Sequence, residues 1–279
     1  MRICCIIQVR TTSSRLPNKV LLNLPYNSEK TVLEQVISRV RKSKMIDDII
    51  VATTVNETDD GIEKLCNRLE VHCYRGSEEN VLSRYYEAAT KYGADYILRI
   101  TSDCPCIDYE VIDNLIKLHL DEKNDFTSNN QKHTFPHGLD CEMITYGVLK
   151  DAFDNATEKY ETEHVMPYVY KSNPDKYKIG LLEDEEDNYN IRITLDTEED
   201  YTVLCLIYDF LYEENKVFYK SDIINLFKRK KYLYKINENI EQKKVCKNLD
   251  EEIEEAKKLL DKQDLKRAYN FLEENWEKR

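Results

Sequence analysis

In the stretch from Gln8 to Leu22, QVRTTSSRLPNKVLL, the cations Arg10, Arg15 and Lys19 are interleaved with hydroxyl side chains that include Ser13. Arginine offers a planar fork to paired phosphate oxygens and lysine a point charge. Serine hydroxyls add donors, and a loop leading from a strand into a helix turns free backbone N–H groups the same way. The chemistry this suggests is capture of a polyphosphate. The plain alternative is a solvated loop that carries surface charge.

Two aspartates supply a counterpart. Asp103 stands in TSDCP at the end of an apolar run, and Asp196 in ITLDTEEDY ends another just before a helical stretch. If both reach one crevice beside bound phosphates, they make a Mg²⁺ site, because that ion takes one or two carboxylates and completes its shell with phosphate oxygens and water. Each aspartate alone is equally a helix cap.

Three further segments carry polar groups suited to a substrate. In RGSEENVLSRYYEA, Arg75 is followed by Gly76, which permits close backbone approach, and Ser77, which can cap the next helix. These groups can read the edge of a base. In FPHGLDCE a turn at Pro136 and Gly138 delivers Asp140 and Glu142, alternate positions on one strand face, where they can bind hydroxyls of a polyol. His164, in TEH at a helix start, either touches substrate or is a partly buried structural histidine. Cys104-Pro105-Cys106 is a closely spaced cysteine pair, and a structural role is preferred to a metal or redox one.

The elements that must position these residues are readable from periodicity. Ile3–Val9, Asp48–Thr54, Glu70–Tyr74 and Asp95–Thr101 read as buried strands. They alternate with helical segments: one around Val32, Leu33, Val36, Ile37 and Val40, then Asp59–Arg68, Glu78–Tyr92 ended by Gly93, and Asp108–Leu120. Such alternation predicts a mostly parallel sheet with helices on both faces, and ligands bound beyond the carboxyl ends of its strands. The loops after Val9, Thr54, Tyr74 and Thr101 then share one crevice. From residue 125 onward the pattern loosens. Phe126–Asn129, Leu139–Thr145 and Tyr177–Leu182 read as antiparallel strands, and Thr162–Tyr170 and Glu198–Tyr212 as helices. Asp250 and Asp264 are expected to cap two C-terminal helices that form a hairpin. The expected division is therefore a main domain, 1–245, with an arm over 125–185, and a helical appendage, 246–279, that packs on the main domain or on a sister subunit.

The totals narrow the class. With 279 residues the chain can bury a sizeable core, and with a net charge of −12 it lacks the basic balance of a nucleic-acid or membrane-surface binder. No apolar run approaches the ~18 residues of a membrane span, and the start lacks the pattern of a signal peptide. Nine scattered cysteines without a C-x-x-C pair fit reduced thiols in a cytoplasm.

The blocks IIQVRTTSSRLPNKVLL, IIVATT, YRGSEENVLSRYYEA, ADYILRITSDCP, FPHGLDCE, TEHVMPYV and ITLDTEEDY occur in this order. Together they resemble the cytidylyltransferases of the acylneuraminate type, in particular the branch of spore-coat polysaccharide biosynthesis. The resemblance runs from residue 1 to about 245, and LYKINENIEQK is similar to that branch's tail. It implies a three-layer α/β nucleotide-binding fold and a homodimer formed through the arm. The implied activity is transfer from CTP to a sugar or sugar acid, with release of pyrophosphate, for surface polysaccharide synthesis. The implied roles are CTP phosphates on Arg10, Ser13, Arg15 and Lys19, base and ribose near Arg75 and Ser77, and Mg²⁺ on Asp103 and Asp196. The acceptor would face Asp140, Glu142 and His164.

The chain departs from that family at three glycines, replaced here by Thr12, Asn18 and Ser102. Asn18 tolerates a left-handed conformation, whereas a β-branched Thr12 at positive φ would be strained. Two other functions stay open at this point. A nucleotide-sugar-dependent glycosyltransferase would carry D-x-D where Asp103-Cys104-Pro105 stands. A non-catalytic nucleotide-binding protein would bind CTP without turnover.

Overall fold

The computed structural model describes residues 1–240, 246 and 248–276. The first strand, β1 (Ile3–Gln8), is apolar on both sides because both sides are covered. Cys5 and Ile7 join one core layer, Cys4 and Ile6 the other. β1 lies at the centre, parallel to β2 (Asp48–Thr54) on one side and to β4 (Tyr96–Thr101) on the other, with β3 (His72–Gly76) parallel to β2. Between them run α1 (Val32–Val40), α2 (Asp60–Arg68), α3 (Val81–Tyr92) and α4 (Tyr109–Glu122). Helices α1, α2 and α4 pack on the face of Cys5 and Ile7, and α3 on the face of Cys4 and Ile6.

The sheet continues with β5 (Phe126–Ser128), β6 (Glu142–Thr145) and β7 (Ile179–Leu181), giving the order β3-β2-β1-β4-β6-β5-β7. The expectation of antiparallel strands here is half met. β6 runs antiparallel to β4 and β5, but β7 pairs parallel with β5. That parallel pairing needs a crossover, made by α5 (Tyr146–Asn155) and α6 (Lys159–His164). The expected helix over 162–170 is broken. Its start belongs to α6, the chain turns sharply at Val165 (φ 71°), and a π turn follows over Tyr168–Ser172.

A third apolar cluster joins Leu24, Val32 and the run Ile191, Ile193 and Leu195 to α7 (Glu198–Leu211) and α8 (Lys220–Arg229). A short α9 (Leu233–Asn237) closes it. The C-terminal hairpin forms as α10 (Leu249–Lys262) and α11 (Lys266–Trp276). Its first cap is Asn248, accepting from Glu251 N, rather than Asp250. Asp264 sits in the turn at φ 54°. Lys171 pairs with Glu251 at 3.2 Å, tying the hairpin to the main domain.

Candidate active site

The opening loop begins where β1 ends, and a buried acid sets its path. Asp59 is fully buried. It accepts from Thr11 N (2.9 Å), Thr11 Oγ1 (2.6 Å), Thr53 Oγ1 (2.9 Å) and Thr54 Oγ1 (2.6 Å). Burial alone would raise its pKa, but these donors outweigh that and hold it below the usual carboxylate range. Thr11 O in turn accepts from Ser13 N (2.9 Å) and Asn18 N (3.0 Å), folding the loop back on itself. Asn18 takes the left-handed conformation (φ 57°), as its type allows, and starts the short 3₁₀ turn Lys19–Leu21. Thr12 and Ser102 are not at positive φ, so the loss of glycine there brings no backbone strain. Instead Thr12 Oγ1 donates to Glu78 Oε1 at 2.6 Å.

Asp103 and Asp196, far apart in sequence, meet because of the run that ends at Leu195. His137 N donates to Ile191 O (2.9 Å) and Ile193 N to His137 O (2.8 Å). Leu195 N then donates to Asp103 O at 2.8 Å. At the crossing stands Gly138 (φ 116°), where a Cβ would lie 2.7 Å from Ile193 C. Only glycine permits this approach. The turn FPHG therefore works by positioning the 191–195 run.

The two carboxylates converge on one ammonium. Lys19 Nζ lies 2.9 Å from Asp103 Oδ2, 3.0 Å from Asp196 Oδ1 and 2.5 Å from Leu195 O. Arg15 Nη2 reaches Asp196 Oδ2 at 2.8 Å. Burial would lower the pKa of Lys19, but Asp103 and Asp196 outweigh it and raise it. For Asp103, burial pushes upward, yet Lys19 and the Thr101 hydroxyl bring it down to about 2. Asp196 does not cap α7. That role falls to Thr197, which accepts from Asp200 N, and it leaves the Asp196 carboxylate in the cleft. A second cation holds it there: Arg192 Nη2 lies 3.1 Å from Asp196 Oδ2, and Arg192 Nε 2.8 Å from Asp200 Oδ1. Asn237 Nδ2 donates to Asp200 Oδ1 (2.8 Å) and Arg192 O (3.1 Å). Burial would raise the Asp200 pKa, but Arg192 and Asn237 keep it low.

Lys19, Arg15, Asp103 and Asp196 line a cleft of about 820 Å³ beyond the carboxyl ends of β1 and β4, with Arg192, Asp200 and Asn237 behind them. Arg10, Ser13, Arg15, Lys19, Asp103, His164 and Asp196 all face it, as does the α6 wall with Lys159 and Thr162. The structure does not bring the remaining sequence candidates there. Arg75 is on the outer strand β3, bound to Asp60 (2.7 Å), Glu63 (2.8 Å) and the carbonyls of Thr54 (2.9 Å) and Asn56 (2.7 Å). Ser77 is exposed and accepts from Asn80 N (3.1 Å). The α3 cap is Asn80. Asp140 accepts from Gly138 N (2.9 Å) and so serves the turn. Glu142 is buried and paired with Arg99, whose Nε donates to Gln8 Oε1 (3.2 Å). This pair forms a polar floor behind the cleft.

Sequence reasoning missed Asp59, Arg192, Asp200, Asn237 and Arg84. The signal for Asp200 was present, since T-x-x-D at the start of a helix is a capping box. Arg84 also lines the cleft and is buried. The Cys104 and Cys106 thiols are buried and pushed up by burial, Cys106 to about 12, which leaves them neutral. No cluster of three or more metal-ligating His, Cys, Asp or Glu side chains occurs among the described residues.

Comparison with known proteins points the same way. A family model described as cytidylyltransferase matches residues 4–275. An uncharacterized protein of Methanocaldococcus jannaschii is 39% identical over 248 residues, 87% of this chain and 97% of that one. The spore coat polysaccharide biosynthesis protein SpsF of Bacillus subtilis is 34% identical over 231 residues, 80% of this chain and 93% of that one. Among solved structures, one titled as a cytidylyltransferase from Leptospira borgpetersenii matches with a TM-score of 0.79 at 31% identity, over 88% of this chain and 100% of that one.

Proposed function

The chain belongs to the cytidylyltransferase family, and from that premise we propose that it transfers the cytidylyl group of CTP to a sugar or sugar acid. An acceptor oxygen attacks the α-phosphorus and pyrophosphate leaves. The product is a CMP-linked sugar for surface polysaccharide synthesis. One observation carries this reading: Arg15, Lys19, Asp103 and Asp196 come together in one cleft from three distant parts of the chain.

The donor set fits Mg²⁺. Asp103 and Asp196 both reach the Lys19 ammonium within 3.0 Å, so the two carboxylates are close enough to share one ion once Lys19 turns to the phosphates, and Asp103 is ionised at any working pH. Two carboxylates with the other positions left to phosphate oxygens and water is the usual pattern for that ion. When bound on Asp103 and Asp196, it would neutralise charge on the reacting phosphates. Arg10 and Ser13 hold the triphosphate from the loop, and Arg15 fixes the phosphate beside Asp196. Lys19, on a flexible stem, meets the charge that grows on the leaving pyrophosphate. Asp59 and Arg192 touch no substrate in this scheme. They keep the loop and Asp196 in place, so that positioning is set before the substrates arrive.

The α6 wall with His164 receives the acceptor. Homodimerisation through the 125–185 segment belongs to the same reading. So does a cytoplasmic location, since the nine cysteines are free and no helix among the described residues is long and apolar enough to cross a membrane.

The test offers the four nucleoside triphosphates with Mg²⁺ to the protein and follows pyrophosphate release with N-acetylneuraminate and other sugar acids as acceptors. Release with CTP above the other three is expected. A nucleoside diphosphate as product would indicate a glycosyltransferase, and CTP binding with no product on any acceptor would indicate a non-catalytic binder.

A further inference from the structure

Arg84 is an arginine in an unusual place. It is only 2% exposed, yet it lines the cleft. Among the described residues its side chain's one hydrogen bond is Nη1 to Ser77 O at 3.1 Å. Its Nε is buried without a partner, and no carboxylate pairs with it. Asp59 and Glu78 are the acids whose charge reaches it, and both are committed elsewhere: Asp59 to Thr11, Thr53 and Thr54, and Glu78 to Thr12 Oγ1 at 2.6 Å, Asn56 Nδ2 at 2.5 Å and Arg10 at 3.6 Å. The local backbone adds to the imbalance. Arg84 stands in the first turn of α3, where the free N–H groups already favour negative charge, and no acidic residue occupies that turn. Its stem lies over Gly76, where a Cβ would come 3.3 Å from Arg84 Cγ, so it is held in this direction by packing.

Burying a cation without a counter-charge is costly. A chain that retains one facing an open cleft gains from it only when something negative arrives. We propose that Arg84 is an anion-binding residue of the cleft, taking a pair of anionic oxygens from a substrate. The pair comes from the phosphates of the nucleotide or from the acid group of the acceptor. This deepens the cytidylyltransferase reading and rests on it only for the identity of the anions.

The experiment compares wild type with Arg84→Met, which keeps the length and drops the charge. Thermal shift and calorimetric binding are measured with CTP, inorganic pyrophosphate and N-acetylneuraminate, each alone. For the ligand-free variant the Tm is expected to stay level or rise by about 2 °C, since an uncompensated buried charge is gone. Affinity for at least one anion is expected to fall by about 10-fold or more. Loss for both CTP and pyrophosphate assigns the oxygens to the nucleotide. Loss for N-acetylneuraminate alone assigns them to the acceptor. If the ligand-free Tm falls while every affinity is kept, Arg84 is structural and the proposal is wrong. A wild type that none of the three stabilises overturns it as well. If Arg84→Met does not fold, Arg84→Lys serves, and unchanged affinities in that variant overturn the proposal. A protein that binds pyrophosphate through Arg84 but shows no preference for CTP would sink the cytidylyltransferase reading and leave this inference standing.

Discussion

The two sides of the cleft solve the same electrostatic problem in opposite ways. On one side Lys19, Arg15 and Arg192 are matched by Asp103, Asp196 and Asp200, so every charge has a partner before any ligand binds. On the other side Arg84 is buried at the start of α3 with no carboxylate. The matched side is preorganised, and a ligand must exchange partners with it. The unmatched side is poised, and a ligand supplies what is missing. A matched set costs little to keep in the free protein, whereas an unmatched charge is tolerated only where binding compensates for it.

Substitutions can break this contrast in a graded order. The largest effect is expected from Asp103→Asn and Asp196→Asn. Each is expected to lower turnover by at least ~10²-fold, the scale of one lost electrostatic contact in a transition state. Steady-state pyrophosphate release measures this, and near-normal rates in both variants would remove the metal assignment. Next comes Arg192→Met. Arg192 touches no substrate, but its loss frees Asp196 to turn, so activity or Mg²⁺ affinity is expected to fall by about 10-fold, with Asp200 left as a buried acid held by Asn237 but without its cation. A fall in kcat together with weaker Mn²⁺ binding would mark a positioning role, while a fall in Tm alone would mark a structural one.

A pH titration sharpens the matched side. The Asp103 carboxyl is held at about 2, below its ordinary value of 3.8. Its pKa is lower when folded, so the ionised form stabilises the fold above pH 4, and that contribution is lost as pH falls toward 2. The size is on the order of 2 kcal/mol. Denaturant melts should show wild type losing more stability than Asp103→Asn across this window, and parallel profiles would deny the pairing. The smallest functional effect is expected from Arg75→Met. That side chain binds Asp60, Glu63 and two carbonyls away from the cleft. CTP affinity should stay within about twofold while stability drops by about 1 kcal/mol. A large loss of CTP affinity would return Arg75 to the site.

Much of this was legible in the order of residues. Alternating apolar runs gave β1, β2 and β4 nearly to the residue, because strands buried on both faces leave unbroken signals. The opening cations, Asp103 and Asp196 stood out because each follows or ends such a run, and such ends point to the cleft. The weaker signals came from the second half. Whether β7 runs parallel or antiparallel to β5 depends on a crossover whose direction no local pattern states. Val165, at positive φ, ends a helix that the apolar spacing predicts to continue.

The sequence by itself determined the layered sheet, its cleft and the cations and acids that reach it, since those follow from local periodicity and residue chemistry. The tertiary structure alone decided partners. It placed Asp140 under Gly138, Glu142 on Arg99 and Arg75 on an outer strand, and it left Arg84 with no carboxylate. Pairing of charges is a matter of distances between segments remote in the chain, and those distances exist only once the sheet has assembled.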